Sequence, residues 1–246
     1  MSGRRAADDR PSSVVSDHPS VSASLIGVVA AGALDLAFPA RCAGCSTEGK
    51  PICRACLPAL DARLNLAPGV PIGLPASIPA PLLQLEWCAS FSGTVRRALH
   101  ELKYAGEQRL AAPLGAAIAR RWRHAGAGGD IVVHVPVSSE RLRQRGYDQA
   151  RLLAAVAAES LGLPFVDALE RHRMTAPQFE LDRSDRAGNV AGAFRVREPA
   201  GTAIAGRWVV LVDDVATTGA TLAACGEALL EGGALAVSAI TMAREG

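Results

Sequence analysis

The chain is expected to adopt an α/β fold, a parallel sheet flanked by helices, preceded by a small four-cysteine unit. Three observations carry that expectation. Two short apolar runs, IVVHVPV at 131–137 and WVVLVDDV at 208–215, read as buried strands. Segments with helical apolar spacing separate and follow them, and strands alternating with helices argue for a parallel sheet. Ahead of these elements, four cysteines fall as Cys42-x2-Cys45 and Cys53-x2-Cys56.

Taken in order, residues 1–20 mix basic residues with three aspartates and contain no apolar core, so they read as a disordered tail rather than a signal peptide. Residues 21–62 are expected to form a helix followed by the cysteine unit. The segment VSASLIGVVAAGALDLAF (21–38) is apolar, but Asp35 interrupts it and it falls short of the ~20 apolar residues of a membrane span. It reads as a helix packed on the protein, with an interfacial helix as the alternative and no transmembrane span in either case. In PARCAGCSTEGKPICRACLPALD (39–61), two CxxC turns flank a short hairpin. Their spacing fits a tetrahedral site in which Cys42, Cys45, Cys53 and Cys56 bind a structural Zn²⁺ that staples a segment too short for its own core.

Residues 63–87 are read as a Pro-rich linker, because the prolines of APGVPIGLPASIPAPL (67–82) prevent regular helix or sheet. Residues 88–246 form the main domain. It opens with one or two amphipathic helices between Gly93 and Gly126, broken near Tyr104 to Gly106. The strand at 131–137, a helix from about 147 to 161 and the strand at 208–215 come next. The helix TLAACGEALLEGG and a last strand, LAVSAITMA, complete it.

A length of 246 residues favours one domain with appendages, and 49% hydrophobic with 20% charged residues is ordinary for a soluble globular protein. A net charge of +2 is too mild to demand a nucleic-acid partner, so charge placement matters more than the total. Four of the six cysteines sit in metal-site spacing, which points to a reduced compartment, the cytoplasm. Cys88 and Cys225 are isolated in apolar surroundings, and the five histidines are scattered and receive no ligand role.

The chemistry concentrates in VVLVDDVATTGATL (209–222). In a parallel sheet, ligands bind at the carboxyl edge of the strands, and Asp213 and Asp214 stand there. The following residues, Val215, Ala216, Thr217, Thr218, Gly219, Ala220 and Thr221, lead into a helix. Their N–H groups and hydroxyls can curl around one phosphate beside the positive helix end. Carboxylates next to a phosphate nest suit a ligand with hydroxyls next to a phosphate, as in ribose 5-phosphate. Neither the P-loop pattern nor GxGxxG is present.

This run resembles the signature of type I phosphoribosyltransferases, which bind phosphoribosyl pyrophosphate (PRPP). LHELKYAGE (99–107), VPVSSERLRQRGYDQARLLA (135–154), TAPQFELDRSDRAGNVAGAF (175–194) and the four-cysteine unit narrow the resemblance to the ComF/GntX-like family, over about residues 34–244. The resemblance implies a type I phosphoribosyltransferase fold and transfer of phosphoribosyl, with release of pyrophosphate, to an acceptor that no segment identifies. It implies Asp213 and Asp214 as catalytic residues that orient the ribose diol, the 215–221 loop as the 5-phosphate site, and Mg²⁺ accompanying PRPP. Arg141, Arg143 and Arg145 are implied as pyrophosphate partners and Lys103 as a phosphate contact. Residues 171–190 read equally as a mobile lid or a surface hairpin. Tyr147 and Asp148 depart from the family's usual Phe and Asn. A second role implied by the family is a non-catalytic, PRPP-sensing accessory protein that binds single-stranded DNA or the competence machinery during DNA uptake. The sequence does not indicate an oligomeric state.

Overall fold

The computed structural model describes residues 39–68, 78–125, 128–172 and 192–245. The tail, the apolar segment at 21–38, residues 69–77 of the proline-rich stretch and nearly all of the 171–190 segment lie outside them. Residues 40–246 belong to one compact unit.

Four parallel strands form the central sheet, in the order β1 (Leu85–Ser90), β6 (Ala236–Arg244), β5 (Trp208–Ala216), β2 (Ile131–His134). The two central strands run nine residues each and β2 only four. Their apolar residues are buried on both faces, as expected of a parallel sheet covered by helices. Because His134 of β2 pairs with Val212 of β5, the chain from Asp213 to Ala216 extends beyond β2 and pairs only with β6. That overhang leaves the end of β5 without a partner strand on the β2 side.

Helices cover both faces. On one side α1 (Gly93–His100), α2 (Ala111–His124) and α4 (Gln149–Leu161) pack on Val210, Val212 and Ile240. On the other, α5 (Glu198–Ile204), α6 (Ala220–Glu231) and the antiparallel pair β3 (Leu169–Arg171) with β4 (Phe194–Val196) pack on Val209, Leu211 and Val237. The expected break near Tyr104 is a single π-helical turn, Glu101–Ala105, closed by Gly106 at φ +72°. The stretch expected to be a basic loop contains a short helix, α3 (Ser139–Arg145), capped by the Ser138 hydroxyl, which accepts from the Arg141 N–H.

Leu85–Trp87, which the sequence places in the linker, form the first half of β1. The disguise is Glu86, a carboxylate within a strand. It is fully buried against Arg121 of α2, whose Nη2 lies 2.6 Å from Glu86 Oε2. Arg121 also donates to the carbonyls of Arg63 (2.7 Å) and Leu66 (2.6 Å), so one guanidinium ties strand, helix and the descending chain together.

The cysteine unit packs on this body through Ile52 and Leu60, which share the core of Leu99. Arg97 of α1 donates to the carbonyls of Ala43 (2.8 Å) and Gly44 (2.7 Å). A Cβ at Gly44 would lie 2.4 Å from the Cys56 sulfur, so glycine is needed for the second CxxC turn to approach.

Candidate functional site

The two aspartates are neighbours in β5, and strand alternation sends them to opposite faces. Asp214 turns toward α4 and the π turn, where it is buried. Its Oδ2 meets the Lys103 ammonium at 2.6 Å and accepts from Gln149 Nε2 at 3.3 Å. Asp213 lies on the α6 side, near Cys225, whose thiol is pushed up by burial first and by Asp213 second. Asp213 Oδ1 accepts from the Asp214 N–H at 2.7 Å. Burial, and then the charge of Asp214, hold the Asp213 carboxyl well above the usual carboxylate range, against the opposing pull of that N–H and of Lys103.

The strand runs directly into the hydroxyl-rich bend. Thr217 and Thr218 are exposed, Gly219 is buried, and Gly219 caps α6 at φ +83°. The left-handed turn opens α6, whose first N–H groups have no helical carbonyl to satisfy them. Thr218 Oγ1 accepts from the Ala220 N–H at 3.3 Å, which holds the bend. The expected phosphate-binding residues 215–221 therefore form one continuous strand, bend and helix start.

Among the cationic candidates, Lys103 reaches the doublet directly. Arg145 reaches it through one side chain: its Nη1 donates to Gln149 Oε1 at 2.9 Å, and its guanidinium lies 5.0 Å from the centre of the Tyr104 ring. Arg141 and Arg143 are exposed on α3 and touch neither aspartate. Gln149, the link between Arg145 and Asp214, was missed in the sequence. Arg145 closes α3 and Gln149 opens α4, so their contact is made across a turn and leaves no periodic signal in the sequence. The proposed lid residues fall outside the described residues.

Both departures from the family pattern have a clear place. Asp148 caps α4, with Oδ1 accepting from Arg151 N (3.1 Å) and Oδ2 from Val137 N (2.9 Å), so one carboxylate joins the loop after β2 to the helix that carries Gln149. The Tyr147 hydroxyl donates to the Leu102 carbonyl and fastens the π turn. Nearby, His134 is buried 3.6 Å from Asp148, and burial pushes its pKa down.

In the cysteine unit, the four sulfurs lie within 4.8 Å of one another, close enough to hold one metal ion. Cys42 Sγ accepts N–H bonds from Gly44 (3.4 Å) and Cys53 (3.3 Å). Burial raises the Cys42 pKa, yet N–H donors led by that of Cys53 outweigh it and bring it down to about 6. Burial and the neighbouring sulfurs push Cys56 up to about 12.

A parallel sheet with an acidic doublet at the carboxyl end of its central strand, leading into a glycine-capped bend, defines a type I phosphoribosyltransferase fold. Residues 140–246 match the model of the phosphoribosyl transferase domain. The chain belongs to the ComF/YhgH family. DNA utilization protein YhgH of Salmonella typhi is 31% identical over 208 residues, covering 78% of this chain and 90% of that protein. YhgH of Escherichia coli K12 is 30% identical over 210 residues, with 82% and 88% covered. Competence protein F of Haemophilus influenzae is 35% identical over 94 residues, 38% of this chain and 41% of that protein. Among solved structures, the glutamine PRPP amidotransferase of B. subtilis aligns with a TM-score of 0.37 and 23% identity, covering 53% of this chain and a quarter (25%) of that one. Among the described residues, no helix is long and apolar enough to cross a membrane.

Proposed function

We propose that the protein binds PRPP and transfers its phosphoribosyl group to an acceptor, releasing pyrophosphate. The observation that carries this reading is the overhang of β5: Asp213 and Asp214 stand past the end of β2, directly before the bend that opens α6. There the doublet accepts hydrogen bonds from the 2- and 3-hydroxyls, and the N–H groups of residues 217–221 surround the 5-phosphate. The C1–O bond to pyrophosphate breaks, its electron pair leaves with pyrophosphate, and the acceptor's nucleophilic atom bonds to C1 and loses a proton. Positive charge develops on the sugar as the bond breaks, and the Asp214 carboxylate steadies it while Asp213 helps to orient the diol. Mg²⁺ suits the diphosphate and hydroxyl oxygens of PRPP and needs few protein ligands, so the doublet supports it through the sugar. The cysteine cluster suits Zn²⁺ as a structural staple, since all four positions come from protein.

Calorimetric titration with PRPP and Mg²⁺ tests the site without the acceptor. Binding by the native chain, lost when Asp213→Asn and Asp214→Asn are combined in a folded protein, supports it; retained affinity refutes the ribose assignment.

A second reading is a PRPP-responsive accessory protein that handles single-stranded DNA. The DNA utilization and competence names of the relatives favour it. So do the exposed Arg141 and Arg143, and a groove of about 350 Å³ beside the cysteine unit in which Arg96, Arg97 and His100 outnumber the one carboxylate, Glu101. PRPP binding with no pyrophosphate release for any base, together with salt-dependent DNA binding that weakens with Arg141→Ala and Arg143→Ala, selects this reading. The reduced thiols suit a cytoplasmic setting for either role.

A further inference from the structure

Lys103 makes the one ion pair to either aspartate of the doublet among the described residues. It is a built contact. The π turn inserts an extra residue after α1, and such turns recur where a side chain must be re-aimed. Three connections hold it: Tyr147 bonds the Leu102 carbonyl, Arg145 lies over Tyr104, and Gln149 shares Asp214 Oδ2 with the ammonium. The side chains of Lys103 and Asp214 are 19% and 7% exposed, so little water competes.

Resting on the PRPP reading, we propose that Lys103 is the specificity-determining cation of the site, exchanged from Asp214 to the C1 diphosphate when PRPP binds. A sugar hydroxyl that donates to Asp214 Oδ2 competes with the ammonium and with Gln149, which already share that oxygen, and so loosens the ion pair. PRPP brings the replacement, a diphosphate that accepts charge-assisted hydrogen bonds from the freed ammonium. Ribose 5-phosphate carries the same diol and the same 5-phosphate but no group at C1 to receive Lys103. Its binding leaves a largely buried ammonium without an anion, which is strongly unfavourable. The pair therefore excludes the hydrolysed sugar phosphate by a repulsive element as well as admitting PRPP by an attractive one. A neutral side chain at 103 removes both.

The experiment is calorimetry of the full chain with PRPP and with ribose 5-phosphate, both with Mg²⁺, for the native protein, Lys103→Met and Lys103→Arg. The expected native preference for PRPP is at least about tenfold. Lys103→Met should weaken PRPP and tighten ribose 5-phosphate, collapsing the preference, while Lys103→Arg retains the native order. Lys103→Gln replaces Lys103→Met if the latter does not fold. Equal losses for both ligands, or an unchanged preference, overturn the exchange while leaving the PRPP site standing. Failure of the native chain to bind PRPP overturns the site itself and the exchange with it.

Discussion

Lys103 holds its ammonium 2.6 Å from Asp214, while Asp213, one residue earlier on the same strand, is pushed toward its protonated form by burial and by the charge of Asp214. Two adjacent aspartates thus occupy different electrostatic environments because a β-strand turns alternate side chains to opposite faces.

Asp213→Asn should stabilise the fold at neutral pH while disabling the ligand site. The folded Asp213 retains its proton to a higher pH than the unfolded carboxyl, near about 3.9, so the native contribution is full below that value and declines as pH rises above it. Asparagine cannot ionise and escapes the decline. Thermal unfolding at pH 7.5 should show a higher Tm for the variant, and the gain should shrink toward pH 4. A gain independent of pH would refute the buried-acid assignment.

Asp214→Asn should act in the opposite sense, because it leaves Lys103 without its anion. A loss of about 2 kcal/mol is expected from urea unfolding, discounted from the deep-interior range because Lys103 is 19% exposed. In a double-mutant cycle with Lys103→Met, the coupling should be about 1–3 kcal/mol. Additive losses would mean the two side chains do not stabilise each other.

Cys53→Ser should abolish metal binding, since all four sulfurs gather around one point. Elemental analysis of the native chain should find one zinc per protein. Chelation should lower the Tm, because the unit anchors Arg97 and contributes Ile52 and Leu60 to the shared core. Unchanged metal content in the variant would exclude the four-sulfur site.

Gly219→Ala tests the bend. Gly219 has φ +83°, and an added Cβ would lie 2.7 Å from Pro79 Cγ, so strain and overlap coincide. A loss of about 1–3 kcal/mol is expected in unfolding, with a larger proportional loss of PRPP affinity because the N–H groups of the bend shift. Unaltered PRPP titration would place the phosphate elsewhere.

Legibility in the sequence followed the range of the forces involved. The WVVLVDD strand, the glycine-capped bend and the paired CxxC turns are local, and each is written in consecutive residues through backbone preference and side-chain periodicity. The strand LEWCAS was not legible, because Glu86, its second residue, is tolerable only against Arg121, 35 residues away, and a carboxylate in an apolar run otherwise signals exposure. The helix at 139–145 was hidden by its charges, which face water and leave no apolar stripe.

What the chain determines by itself is therefore the set of groups and their local geometry: an acidic doublet at a strand end, a hydroxyl-lined helix start, and four thiols in two turns. Only the tertiary structure decided which cation meets which acid. Lys103 and Asp214 stand more than a hundred positions apart in the chain, and both Gln149 and the π turn must fold onto β5 before the pair exists. Ion pairs are selected by three-dimensional proximity and burial, quantities that periodicity does not encode.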